Sequence, residues 1–407
     1  MVVYSQDITG EWDGALNIQN KSLRIVFHIS KTDAGYSATM DSPDQGAKGI
    51  QMSQVTFENP VLTIELRIAS MKYTGTLDKN TLTGTFTQAG QSMPMNLTKN
   101  ELATEKPVVT SVDINAPYIE TPITLQTKTG QIFGTITTPK TFKKGPLALI
   151  IAGSGPTDRN CNNPSMTNDA YKKLAHELAE SNIASIRYDK RGIAESVAAV
   201  ENESDLIFDN YVNDAKDWIQ LAKKDKRFAQ IVVIGHSEGS LIGMLAATKA
   251  DKFISVAGIG RTADVLLKEQ LKAQPQIVQD LSFPIIDSLV LGKSVSNVDQ
   301  MVMSLFRPSV QPYMISWFKY NPQTELKKLN IPILIIQGTN DIQVSVEDAK
   351  LLSAASPKSH LLLLNNMNHI LRTVEGDRQA NLATYNNAAL PLADGFVKGI
   401  TDFILKK

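Results

Sequence analysis

The chain has 407 residues, 41 basic and 41 acidic, for a formal net charge of zero; 42% are hydrophobic and 20% charged. That length exceeds one ordinary domain and predicts two. The charge balance gives no nucleic-acid footprint, and no apolar run approaches the roughly 20 residues that span a bilayer. The single cysteine, Cys161, excludes an internal disulfide and a thiolate zinc site, so no metal and no cofactor are expected.

In chain order, Met1 to Asp7 are too short and polar to read as an export signal. Residues 1–105 read as a small all-β domain, an antiparallel barrel or sandwich. Leu23 to Ile29, Val55 to Phe57, Val61 to Ile68, Lys72 to Leu77 and Leu82 to Thr87 are strand-like runs rich in Thr and β-branched residues. Asp78, Lys79 and Asn80 form a hairpin-turn signal between two of them. Gly10, Glu11 and Trp12 resemble the G-x-W opening of lipocalins. His28 lies within an apolar strand and reads as structural. The polar stretch Thr98 to Pro107 is the expected linker.

Residues 115–407 change rhythm. After a starting hairpin, Leu147 to Ile151 is a continuous apolar run, the mark of a strand buried on both faces. Helical patterns alternate with further runs at Ile183–Ile186, Ile231–Ile234, Phe253–Ala257, Ile333–Ile336 and His360–Leu364. This alternation predicts a mostly parallel sheet covered by helices. The rhythm breaks over about 261–322, which predicts a helical cap over the site. Met301, Met303, Leu305, Phe306, Trp317 and Phe318 are its candidates for lining an acyl pocket.

The most specific pattern is Gly235-His236-Ser237-Glu238-Gly239, between an apolar strand and an Ala/Leu-rich helix. G-x-S-x-G in that setting is a nucleophile elbow: the glycines let strand and helix pass closely, and the tight turn presents the serine hydroxyl. A serine hydroxyl needs a base, and the base needs an orienting acid. Of five histidines, His369 lies in a polar loop just past the last strong strand, where parallel sheets gather their catalytic groups. His176 falls on a helix, His360 begins a strand, and His236 is expected to point away from the exposed face of the elbow. Asp341 follows the strand Ile333 to Ile336 and is the expected acid, with Asp348 and Asp377 as alternatives. The order Ser237, Asp341, His369 is nucleophile, acid, base. Two backbone N–H groups should meet the oxyanion: that of Glu238, and that of Ser154 in the Gly-Ser-Gly-Pro loop after Ile151, with Gly155 in reserve.

These motifs and their order make residues 120–407 resemble the α/β-hydrolase superfamily. Tyr188 to Ser196 also resembles its D-x-R-G-x-G-x-S segment, with Ala194 in place of the second glycine. The resemblance implies an eight-stranded, mostly parallel sheet with helices on both faces, a cap after the sixth strand, and acyl-enzyme chemistry. The architecture is similar to bacterial exported esterases with a β-rich N-terminal domain, which implies a periplasmic or secreted location. The expected activity is a serine carboxylesterase acting on a small-molecule ester with short or medium acyl or aryl groups. A peptidase of the prolyl-peptidase-like type, an acyltransferase, a thioesterase, or a binding protein that keeps the fold remain alternatives. The N-terminal domain could shape the site entrance, bind a polymer, or mediate a homodimer.

Overall fold

The computed structural model describes residues 7–18, 21–32, 35–42, 47–88, 90–100, 116–163 and 166–406. The chain divides into two compact units. One comprises residues 1–116 with 197–203, the other 117–196 with 204–407. Most of the expected linker lies outside the described residues; its first two residues end a strand.

The first unit is a nine-stranded antiparallel sheet. Its strands are β1 (Gly10–Ile18), β2 (Lys21–Thr32), β3 (Gly35–Ser42), β4 (Ala47–Gln51), β5 (Gln54–Glu58), β6 (Val61–Leu66), β7 (Met71–Asp78), β8 (Thr81–Gln88) and β9 (Gln91–Lys99). The order β4-β3-β2-β1-β9-β8-β7-β6-β5 pairs sequence neighbours throughout, with β1 joined to β9. The sheet curls until β3 and β5 touch. Side chains alternate as one wet face requires. Met71, Tyr73 and Leu77 are buried on β7, while Lys72 and Thr76 between them are exposed. Trp12, Phe27, Leu62, Ile64, Tyr73, Leu82 and Leu97 fill the inside. The Trp12 indole N–H donates to the Ile8 carbonyl at 2.8 Å, so the buried ring leaves no unmet polar atom. His28 faces Asp41 at 3.0 Å, an arrangement that keeps its strand position structural.

The second unit holds an eight-stranded sheet built from β10 (Tyr118–Gln126), β11 (Gln131–Pro139), β12 (Gly145–Ile151), β13 (Ala184–Tyr188), β14 (Phe228–His236), β15 (Lys252–Val256), β16 (Ile333–Gly338) and β17 (Ser359–Leu364). Its order is β10-β11-β13-β12-β14-β15-β16-β17. The first two pairings are antiparallel and the other five parallel. Every residue of β13, β15 and β16 is buried, which explains their mostly apolar composition, broken only by Ser185, Arg187, Lys252, Ser255 and Gln337. The helices are α1 (Ala170–Glu180), α2 (Phe208–Lys224), α3 (Glu238–Ala246), α4 (Ala263–Leu271), α5 (Gln276–Val290), α6 (Met303–Phe306), α7 (Gln311–Trp317), α8 (Pro322–Lys327), α9 (Val346–Ala355), α10 (Arg378–Ala383) and α11 (Phe396–Leu405). Helix α11 closes one face of the core: its Phe396, Ile400 and Ile404 pack with Ile254, Leu334 and Ile336.

Helices α4 to α8 fill the interval between β15 and β16, the helical insertion expected after the sixth strand. Helix α7 packs on α2, and α8 on α3. The aromatic residues of this region are consumed by that packing. Phe208 of α2 stacks on Trp317 at 6.0 Å and meets Tyr313 and Tyr320 at 6.0 and 5.6 Å. Segment 188–196 keeps its turn despite Ala194, which takes φ 44°, a left-handed conformation that costs a residue with a Cβ.

Candidate active site

The site lies at the carboxyl ends of β12, β14 and β16 and in the loop after β17. Ser237 falls between β14 and α3 at φ 55° and ψ −121°, a backbone state that a non-glycine residue adopts only under constraint. The constraint is visible in its neighbours. A Cβ on Gly235 would stand 2.2 Å from the Gly239 carbonyl oxygen, and one on Gly239 would stand 2.4 Å from that of Ile151. No larger residue fits at either place without moving backbone.

Asp341 and His369 approach from the next loops. The His369 Nδ1 lies 2.8 Å from Asp341 Oδ2. Asp341 is 1% exposed. Burial alone would raise its carboxyl. The His369 imidazole and the backbone N–H groups of Val344 and Gln343 outweigh that and hold it below the usual carboxylate range. The Gln337 amide adds a further donor at 3.0 Å. Gly338 makes the approach possible: a Cβ there would meet the Met367 carbonyl oxygen at 2.0 Å. The alternatives to Asp341 have other work. Asp348 is fully buried, accepts from the Arg261 guanidinium and the Gly260 N–H, and caps α9 with Ser345. Asp377 caps α10 through the N–H groups of Gln379 and Ala380.

Two sequence expectations are corrected here. His236 does not turn away from the site. Its ring centre lies 4.8 Å from that of His369, and its Nε2 lies 2.8 Å from the His369 carbonyl oxygen. That oxygen can only accept, so Nε2 carries the proton and Nδ1 accepts from the Tyr171 hydroxyl at 2.7 Å. The Tyr171 oxygen in turn accepts from the Gly153 N–H at 3.2 Å. Burial, reinforced by the neighbouring His369, pushes the His236 imidazole down to about 3, so it stays neutral. The second correction concerns the cap. None of its six candidate residues is among the side chains lining the cavity. Phe306, Trp317 and Phe318 are buried in helix packing, whereas Met301 and Leu305 are exposed.

The cavity has a volume of about 370 Å³. Gly153, Ser154, Ser237, His236 and His369 are among the residues that line it. Thr157, Asn163, Met166, Tyr171, Gln343, Ile370 and Tyr385 form most of the remaining wall. Cys161 also borders it, but burial pushes that thiol up to about 12, which keeps it protonated and inert. Among the described residues, the N–H groups of Ser154 and Glu238 have no hydrogen-bond partner in the chain. Of the other histidines, His176 pairs with Glu120 at 2.9 Å and stacks on Tyr118, and His360 stands exposed on β17. Sequence reasoning missed Tyr171 and Gly338. Gly338 was findable, as a glycine between a strand and an Asp-bearing loop; Tyr171 carried no local signal.

A family model described as serine aminopeptidase, S33, matches residues 166–309. The esterase EstD of Thermotoga maritima is 27% identical over 262 residues, which is 60% of this chain; the match spans 58% of that protein's length. Among solved structures, Est1E from Butyrivibrio proteoclasticus is 15% identical, with a TM-score of 0.45 over 70% of this chain and 99% of that one. A cold-adapted esterase from an Arctic intertidal metagenomic library is 12% identical, with a TM-score of 0.41 over 71% and 95%. The strand order of the second unit, the strained serine between β14 and α3 and the family match across that elbow give the second unit an α/β-hydrolase fold.

Proposed function

We propose that the chain is a serine carboxylesterase for short or medium acyl or aryl esters. One observation carries the reading: His369, held 2.8 Å from the Asp341 carboxylate, and the strained Ser237 border a single cavity. With Nδ1–H held by Asp341, the neutral His369 keeps its lone pair on Nε2. That nitrogen takes the Ser237 proton as Oγ attacks the ester carbonyl. The N–H groups of Ser154 and Glu238 receive the oxyanion. His369 then protonates the departing alcohol, and water, deprotonated by the same imidazole, releases the acid from Ser237.

The EstD relative supports ester chemistry, while the aminopeptidase description of the family model favours a second reading, a peptidase. An aminopeptidase must hold a free ammonium, for which a carboxylate in the wall is the natural partner. The wall here is built of neutral side chains, Thr157, Asn163, Met166, Gln343, Ile370 and Tyr385, beyond its reactive side. This supports the ester reading.

The test is a panel of p-nitrophenyl esters against aminoacyl-anilides, with Ser237→Ala in parallel. The expected outcome is ester turnover by the parent and a loss of at least about 10⁴-fold in kcat for the variant, together with loss of fluorophosphonate labelling. Full ester turnover by Ser237→Ala would overturn the assignment. Faster cleavage of anilides than of esters would replace it with the peptidase.

A further inference from the structure

Two buried charged side chains, whose roles are not assigned above, stand behind the loop after β12. The Lys190 side chain is 1% exposed and that of Glu238 is 3%. The Lys190 ammonium donates to the Gly153 carbonyl oxygen at 2.6 Å and to Glu238 Oε1 at 3.1 Å. It also lies 4.8 Å from the centre of the Tyr211 ring, a cation–π contact. Lys190 follows β13, Gly153 follows β12, and Glu238 opens α3, so one ammonium ties three segments together.

The peptide unit joining Gly153 to Ser154 is planar. The oxygen gripped by Lys190 and the N–H of Ser154 are therefore two ends of one dipole, and fixing the first aims the second. A charge-assisted hydrogen bond to the oxygen also polarises the amide, leaving its hydrogen more positive. The second expected oxyanion donor is the N–H of Glu238, whose side chain the same ammonium holds. We infer that Lys190 is the positioning residue of the oxyanion hole. It sets the direction and donor strength of the Ser154 N–H and locks the Glu238 residue beside it. This inference rests on the acyl-enzyme reading of Ser237.

The competing role is charge neutralisation, in which Lys190 exists only to pair Glu238. Buried ion pairs can often be replaced by neutral residues without loss, whereas removing one partner alone is costly. The double variant Lys190→Met with Glu238→Gln separates the roles, because it leaves no unpaired charge yet takes the donor away from the Gly153 oxygen. The expected result is a kcat lower by roughly ten- to a hundredfold with KM changed by less than about threefold. Affinity for a trifluoromethyl ketone, which forms an oxyanion on Ser237, should fall by the same factor as kcat. The milder variant Lys190→Arg keeps the charge but not the 2.6 Å contact geometry; its kcat should fall by roughly three- to tenfold with an unchanged melting temperature. A kcat within about twofold of the parent, in the folded double variant or in Lys190→Arg, overturns the inference. Ser237→Ala is assayed beside them. If it stays active, the acyl-enzyme reading has failed; if it is dead while the lysine variants match the parent, only the positioning role has.

Discussion

Strand β7 of the first unit and strand β15 of the second differ in which side chains they bury. On β7 burial alternates, with Tyr73 and Leu77 inside and Lys72 and Thr76 in water. On β15 all five residues are buried, including Lys252 and Ser255. The polar ones survive because they are paired: Ser255 with the Ser240 hydroxyl at 2.7 Å, Lys252 with the carbonyls of Phe403, Ile404 and Lys406. A sheet with one wet face tolerates change on half its positions. A sheet covered on both faces tolerates little along its length and leaves its chemistry to the strand ends.

The sharpest way to break that comparison is to place one glutamine in each sheet. Ile254→Gln puts an amide where no water reaches and should destabilise the second unit by about 3–5 kcal/mol. Thr76→Gln, on an exposed position, should stay within about 1 kcal/mol. Among the described residues all the α-helices belong to the second unit, so its melting is followed by the helical circular-dichroism signal and the stability of the first by amide exchange along β7. Equal losses for the two variants would refute the distinction.

A smaller effect should appear in acid. His236 stays neutral in the fold down to about 3, against 6.5 when free. As pH falls, the unfolded chain gains a proton before the folded one does. Stability is therefore full above 6.5 and drains toward about 3, with a slope from this group of at most about 1.4 kcal/mol per pH unit. His236→Asn should flatten the slope by that share in urea titrations across this window. An unchanged slope would mean that the folded protein protonates His236 as readily as the unfolded chain.

The smallest expected change is a gain. Ala194 sits at φ 44°, which glycine adopts freely. Relief of that strain outweighs the extra chain entropy of glycine only slightly, so Ala194→Gly should stabilise by less than about 1 kcal/mol. A lower melting temperature would show that the methyl group contributes packing there.

What was legible in the sequence was local. A β-branched run, a glycine-flanked serine and an apolar helix are contiguous, so the elbow could be read directly. Asp341 and His369 were accessible because each follows a strand that the chain spells out as an apolar run. The wall of the cavity was not legible, because the cap aromatics that looked like pocket lining are buried in helix packing, Trp317 against Phe208. The orientation of His236 was hidden for a related reason. It depends on Tyr171, 65 residues away, and on a carbonyl 133 residues away. Lys190 looked like one more charge in a D-x-R-G-like segment until Gly153 and Glu238 were placed around it.

The helical insertion leaves the sheet at β15 and returns at β16, and these two strands are paired in register, Val256 opposite Ile336. The pairing is parallel, so the insertion departs beyond Val256 at one end of the strands and returns at Ile333 at the other, opposite Phe253. Any replacement segment would have to cross from one end to the other while covering α2, α3 and α9. The insertion supplies none of the residues that line the cavity, so such an exchange would leave that lining in place.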